Sequence, residues 1–158
     1  MTGPFAAYRA KVRPEWIDYN GHLNDSAYAV VCAQANELLL DALGVGAAYR
    51  EATGCSTYTV EAHLRFLAEV RADGELRAES VLVAADDKRL RVHTTLLDAR
   101  DVPVLTGEYL YLHVDGAAGR VVPFPADRAQ AVATMLAEHA ALPRPAHLGA
   151  GISKPTVG

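Results

Sequence analysis

The chain has little cysteine, no strong excess of either charge and no long apolar run, and each lack removes a class of protein. Its two cysteines, Cys32 and Cys55, form no CxxC pair. Two thiols do not make a disulfide framework, so a small secreted scaffold does not fit. Cys32 lies in an apolar helical run and is expected to be a small core residue. The formal net charge is −4, whereas a nucleic-acid binder normally shows a basic face. No stretch approaches the roughly 18–20 apolar residues of a membrane span. The opening MTGPFAAYRAKVRPEW lacks the basic segment and apolar core of a signal peptide, so a cytoplasmic protein with no membrane partner is expected. Neither GxxxxGK[ST] nor GxGxxG occurs, which leaves nucleotide hydrolysis and dinucleotide redox chemistry without support. No HExxH occurs, and His63, His93 and His113 fall on three separate predicted strands, so no metal site is expected. There are no internal repeats.

What is present suits one globular domain: 158 residues, 51% of them apolar, enough to bury a single core. A first strand is predicted over 8–14, ended by Pro14 because proline cannot donate to a ladder. A polar, turn-rich loop follows over 15–25, with Asn24, Asp25 or Ser26 able to cap a helix. Residues 26–43 read as that helix, stopped by Gly44. Its polar positions Gln34, Glu37 and Asp41 make one narrow stripe, so the helix is expected to be wrapped by other structure. Beyond a connecting loop over 45–56, with room for a short helix, the hydrophobic period changes from 3.6 to 2. Strict alternation over 57–67 would put Tyr58, Val60, Ala62, Leu64 and Phe66 on a buried face. Thr57, Thr59, Glu61, His63 and Arg65 would take the polar face. Strands are predicted over 75–85, 89–98 and 103–114, the first two joined by an Asp86-Asp87-Lys88 hairpin. A short edge strand over 120–124 and an exposed helix over 126–141 follow. The expected architecture is α+β, a curved antiparallel sheet around one long helix. The domain should span 1–142, with a loosely held tail over 143–158. Such a layout leaves the outer sheet face and edges for a second copy, so a homodimer or homotetramer is expected.

The densest group of reactive side chains is Asp18-Tyr19-Asn20-Gly21-His22-Leu23-Asn24-Asp25, just ahead of the apolar helix. Gly21 permits a tight turn. The helix N-terminus beyond it offers unpaired N–H groups and partial positive charge, able to hold a carbonyl and the oxyanion it becomes. A carboxylate beside them can activate water or attack directly. Together these are the minimum parts for acyl transfer to water, although the same residues also suit plain turn and cap hydrogen bonds. His22 can contact a substrate carbonyl or orient Asp18. Glu61 is a candidate second carboxylate. Lys88 and Arg89 (with Arg65, Arg91 and Arg120 as further candidates) can meet phosphates. The faces of Trp16, Tyr19, Tyr28 and Tyr58 can hold a quaternary ammonium, or can be core.

The motif Asp18-x-x-Gly21-His22-x-Asn24, followed by Tyr28 on an apolar helix, resembles the 4-hydroxybenzoyl-CoA thioesterase-like branch of the hotdog superfamily. The likeness runs on through TYTVEAHLRFL, DDKRLRVHTTL and EYLYLHVDGAAGRVVPFP. The segments WIDYNGHLND, YTVEAHLRFL and DKRLRVHTTL are similar to those of betainyl-CoA thioesterases. Leu23-Asn24-Asp25 and the helix depart from the threonine, glutamate and aromatic residues usual there. The resemblance implies a hotdog-fold acyl-CoA thioesterase with Asp18 as catalytic carboxylate; Asn20 and His22 by their place in the loop, and Glu61 by its place on the polar strand face, are the candidate assisting residues. The oxyanion donor would be an N–H near Asn24 or Asp25. By their own positions, and not from the resemblance, Gly21, Asn24, Asp25, Trp16, Tyr19, Tyr28, Lys88 and Arg89 are the candidate substrate contacts. The CoA thioester itself would be the only small molecule, with no separate cofactor. Two alternatives stand: a hotdog enoyl-CoA hydratase and a non-catalytic acyl-CoA binding protein. Asp18-Tyr19-Asn20 partly echoes the hydratase motif D-x-N-P-x-H, but no proline follows and the histidine comes one position early.

Overall fold

The structure is a computed structural model describing residues 3–155; the first two residues of the expected domain and the last three of the expected tail lie outside the described residues. In chain order the elements are β1 (Phe5–Lys11), a 3-10 turn (Pro14–Trp16), α1 (Asp25–Ala42), α2 (Ala47–Thr53), β2 (Cys55–Phe66), β3 (Glu75–Ala85), β4 (Arg89–Asp98), β5 (Pro103–Asp115), β6 (Arg120–Val121) and α3 (Ala126–His139). The strands form one antiparallel sheet in the order β1-β3-β4-β5-β2, with β6 pairing the far end of β5. The sheet curls around α1. Among the described residues no single helix is long and apolar enough to cross a membrane.

The first strand starts earlier and stops sooner than expected, over Phe5–Lys11. Pro14 does not end a ladder. It opens the 3-10 turn, where its missing N–H is harmless. The hydrophobic pattern predicts α1, β3, β4 and β5 to within a residue or so. At the end of α1 the Val45 N–H reaches back to the Leu40 carbonyl, and Gly44 takes the left-handed conformation (φ 72°) that this stop requires.

Two expectations need correction. Strict alternation in β2 fails because the register slips between Thr59 and Glu61, which face Tyr111 and Leu110 on β5. Val60 is the extra residue of a bulge, and a one-residue slip exchanges the faces. Directly paired residues share a face, so Thr57 and Thr59 lie on the helix side with Tyr111 and His113. Beyond the bulge Ala62, Leu64 and Phe66 take that side. Tyr58 is thereby moved to the outer face with Glu61, His63 and Arg65. The second correction concerns α1, which is covered on one side only. Ala27, Val31, Cys32, Ala35 and Leu39 are buried, but Ser26, Val30, Ala33, Glu37 and Asp41 form an exposed stripe.

The outer sheet face is also less open than the sequence suggests. The tail crosses it: the Ala146 carbonyl meets His93 Nε2 at 2.9 Å, and the Gly149 N–H donates to Glu108 at 2.7 Å. Burial lowers the His93 pKa.

A buried polar knot joins α1 to the sheet. Asn36, 1% exposed, accepts at Oδ1 from Thr94 Oγ1 on β4 (2.7 Å) and Ser80 Oγ on β3 (3.1 Å). Its Nδ2 donates to the Tyr111 hydroxyl on β5 at 3.0 Å. Burial pushes that phenol up to about 12, which keeps it neutral. Ser80 Oγ and Thr94 Oγ1 also bond each other at 3.0 Å, so one side chain ties the helix to three strands through a connected buried network. Asn36→Ala should lower the unfolding free energy by about 2–3 kcal/mol, read from the urea midpoint at unchanged slope.

Candidate active site

The loop before α1 is a small hairpin closed by its own backbone. Ile17 bridges Leu23, the Asp18 N–H donates to the His22 carbonyl at 2.9 Å, and the Gly21 N–H donates to the Asp18 carbonyl at 3.0 Å. Gly21 takes φ 78°, a conformation unfavourable for residues with a Cβ. The turn fixes the Asp18 side chain as well. Its Oδ1 accepts from the Asn20 N–H at 2.8 Å and, longer, from the His22 N–H at 3.4 Å. Oδ2 has no partner among the described residues.

The loop is then stitched to α1 and to the segment after β2. The Asn24 N–H donates to the Trp16 carbonyl at 2.8 Å, and the Leu23 N–H to the Val70 carbonyl at 2.7 Å. Asn24 caps α1, accepting from the Ser26 N–H at 2.9 Å. These bonds separate the two candidate oxyanion donors. The Asn24 N–H is consumed by Trp16, whereas the Asp25 N–H has no acceptor among the described residues. It is the first N–H of α1, at the positive end of the helix dipole.

Asp18, His22, Asp25 and Tyr28 line one open cleft of about 360 Å³, completed by Leu23 and by Phe66, Leu67, Ala68 and Glu69 at the end of β2. The Tyr28 hydroxyl donates to the Ala68 carbonyl at 3.1 Å, and its ring meets Phe66 edge to face, with centroids 5.3 Å apart. Burial raises the Tyr28 pKa, and the charges of Glu69 and Asp18 push the same way. His22 Nε2 lies 3.1 Å from Glu69 Oε2, so the imidazole is turned toward Glu69. Phe66, Ala68 and Glu69 were not singled out from sequence. Their contribution comes from the chain crossing beside α1, about forty residues later, and no local motif marks it.

The other sequence candidates lie outside this cleft. Asn20 contributes its backbone to the loop, and Tyr19 is 98% exposed. Trp16 carries the Arg13 guanidinium over its ring at 5.0 Å. Glu61 is on the outer sheet face, in a separate depression of about 310 Å³ with His63, Arg91 and Glu108 beneath Gly149–Gly151. Lys88 and Arg89 sit at the β3–β4 hairpin, level with Leu112 on β5, while Phe66 is level with Leu105. Those rows are roughly 24 Å apart at about 3.4 Å per residue. Arg89 is also bonded to Asp86 at 2.6 Å. Cys32 is fully buried, and burial pushes its thiol up to about 12.

A curled antiparallel sheet around one long helix, with a carboxylate turn at that helix's N-terminus, defines a hotdog fold. The chain belongs to the thioesterase-like superfamily, whose family profile matches residues 12–132. It is 35% identical over 158 residues to a betainyl-CoA thioesterase of Pseudomonas aeruginosa, covering 99% of each chain. It is 42% identical over 149 residues to an L-carnitine dehydrogenase/betainyl-CoA thioesterase of Agrobacterium fabrum, covering 94% of this chain and 30% of that larger protein. The chain therefore spans less than a third of that two-activity relative. In structure it matches a Staphylococcus aureus protein solved in complex with CoA, with a TM-score of 0.89 and 22% identity over 98% of both chains.

Proposed function

We propose that the protein is an acyl-CoA thioesterase acting on a small, betainyl-like acyl group. The observation that carries this reading is that Asp18 Oδ2 and the Asp25 N–H are both unpaired beside one cleft. With the thioester carbonyl at the Asp25 N–H, attack at carbon places the growing negative charge on oxygen against that donor. Asp18 either takes the proton from an attacking water or attacks itself to give a mixed anhydride that water then opens. In both routes the C–S bond breaks and the CoA thiolate leaves and is protonated. Two relatives named for betainyl-CoA support the choice of acyl group. The two unpaired cysteines accord with the reducing cytoplasm, where we place the enzyme.

The same reading includes a homodimer. β2 is an edge strand, and Tyr58 through Ala62 are exposed along it. Exposed apolar edges invite a second strand, and the uncovered stripe on α1 runs beside this one. Antiparallel pairing of two β2 strands about their exposed centre would set the Phe66 end of one protomer against the Cys55 end of its partner. The partner's Lys88–Arg89 hairpin, two strands further across and about four residues along, would then lie roughly 20 Å from the cleft at about 5 Å per strand and 3.4 Å per residue. A CoA molecule can bridge that span, with its phosphates at the hairpin.

Asp18→Asn should reduce turnover by about a hundredfold or more and leave KM within a few-fold, while Glu61→Gln should keep most of its turnover. The opposite pattern would transfer the catalytic role to Glu61. Hybrid dimers test the shared site. Mixing Asp18→Asn subunits with Lys88→Ala/Arg89→Ala subunits creates one intact site per hybrid. Its kcat/KM should recover to about half the wild-type value, a consequence of two-fold symmetry. A site built within one chain would give no recovery above the double variant.

A further inference from the structure

The cleft beside Asp18 has a chemistry that hydrolysis does not need. Hydrolysis uses one carboxylate and one N–H donor, yet Asp25 and Glu69 also line the cleft. Among the described residues, no Lys or Arg lines it. The thioester is neutral at its reacting end, so this excess of negative charge acts on the acyl group. Two aromatic rings, Phe66 and Tyr28, line the same cleft. Phe66 is half exposed and held edge to face by Tyr28, whose hydroxyl is fixed on Ala68. Half of the Phe66 side chain is open to a ligand in that cleft.

We propose that Glu69 and Phe66 are specificity-determining residues that recognise a quaternary ammonium on the acyl group, an inference that rests on the thioesterase reading above. A quaternary ammonium has no N–H to donate, so hydrogen bonds cannot select it. It is held by charge and by the negative face of an aromatic ring. Glu69 supplies the charge. His22 Nε2, 3.1 Å from Oε2, holds that carboxylate at the cleft wall. Phe66 supplies the face. In an acyl group whose ammonium lies two bonds from the thioester carbonyl, the cation would sit next to the reacting carbon, where Asp18 and Glu69 line the same cavity. An anionic acyl group would meet three carboxylates there and be rejected.

The test compares betainyl-CoA with 3,3-dimethylbutyryl-CoA, which has the same shape with carbon in place of the charged nitrogen. Wild-type protein should favour betainyl-CoA in kcat/KM. Glu69→Gln should lower that preference about three- to thirtyfold, and Phe66→Leu by a smaller factor, the range for a cation held by charge or an aromatic face. Each variant should lose more on betainyl-CoA than on the neutral ester, and an unchanged circular dichroism spectrum and urea midpoint show that it folds. Equal losses on both esters would overturn the assignment, as would a wild-type enzyme that does not distinguish them. If wild type hydrolysed neither ester, the thioesterase reading would fall first, and this inference with it.

Discussion

The bonds of Asn36 are the constraint on which the rest of the structure depends. An 18-residue helix lying in a curled sheet could slide or rotate against apolar walls at little cost, because hydrophobic contact has no direction. Hydrogen bonds do have direction. Asn36 is bonded to Ser80, Thr94 and Tyr111 on three different strands, and a slip of one residue would break all three bonds and leave the buried Asn36 amide without partners. The knot therefore sets the height of α1 in the sheet. That height decides where its N-terminus emerges, which is beside Phe66 at the end of β2.

From that fixed point the candidate site follows in steps. The N-terminus of α1 must be capped, and Asn24 does so with its side chain while its own N–H is given to Trp16. The hairpin from Ile17 to Leu23 then has one short path, and Gly21 makes its turn. Asp18 is left with one oxygen tied to the loop backbone and one facing the cleft. A carboxylate held this way needs no reorganisation before it acts. The proposed mechanism divides labour within the cleft: the backbone of Asp25 would address the carbonyl, Asp18 would address carbon or water, and Phe66 with Glu69 would face the acyl group.

Much of this was legible in the sequence, and the failures have physical causes. The helix, the hairpins and the Asp18 loop were readable because each is a local pattern: a 3.6 period, a 2 period, or a turn next to a cap. The faces of β2 were misread because a bulge adds one residue without any marker in the sequence, and every side chain on one side of it changes face. Tyr58 and Glu61 were misplaced relative to each other for that reason. The exposed stripe of α1 was missed because Val30 and Ala33 are apolar, and composition alone cannot tell a covered side from one awaiting a partner. Glu69 was invisible because it enters the site through chain crossing, from a loop whose sequence carries no motif. The distance between Lys88 and Asp18 within one chain likewise follows from strand order, which a single sequence does not display.

The tail and the β2 edge assign different roles to the two sides of the sheet. His93 and Glu108 hold the tail over β4 and β5, while the edge at β2 and the adjoining side of α1 remain uncovered. The uncovered side is also the side of the Asp18 cleft, so the proposed dimer would place assembly and catalysis on one surface. The account as a whole stands on thioester cleavage at that surface. Its most direct test is the release of free CoA thiol from betainyl-CoA by the purified protein, followed with a thiol-trapping dye. The account predicts turnover of about 1 per second or faster, with one thiol and one free acid formed per ester consumed. Thiol release no faster than the spontaneous reaction, at saturating ester, would contradict it.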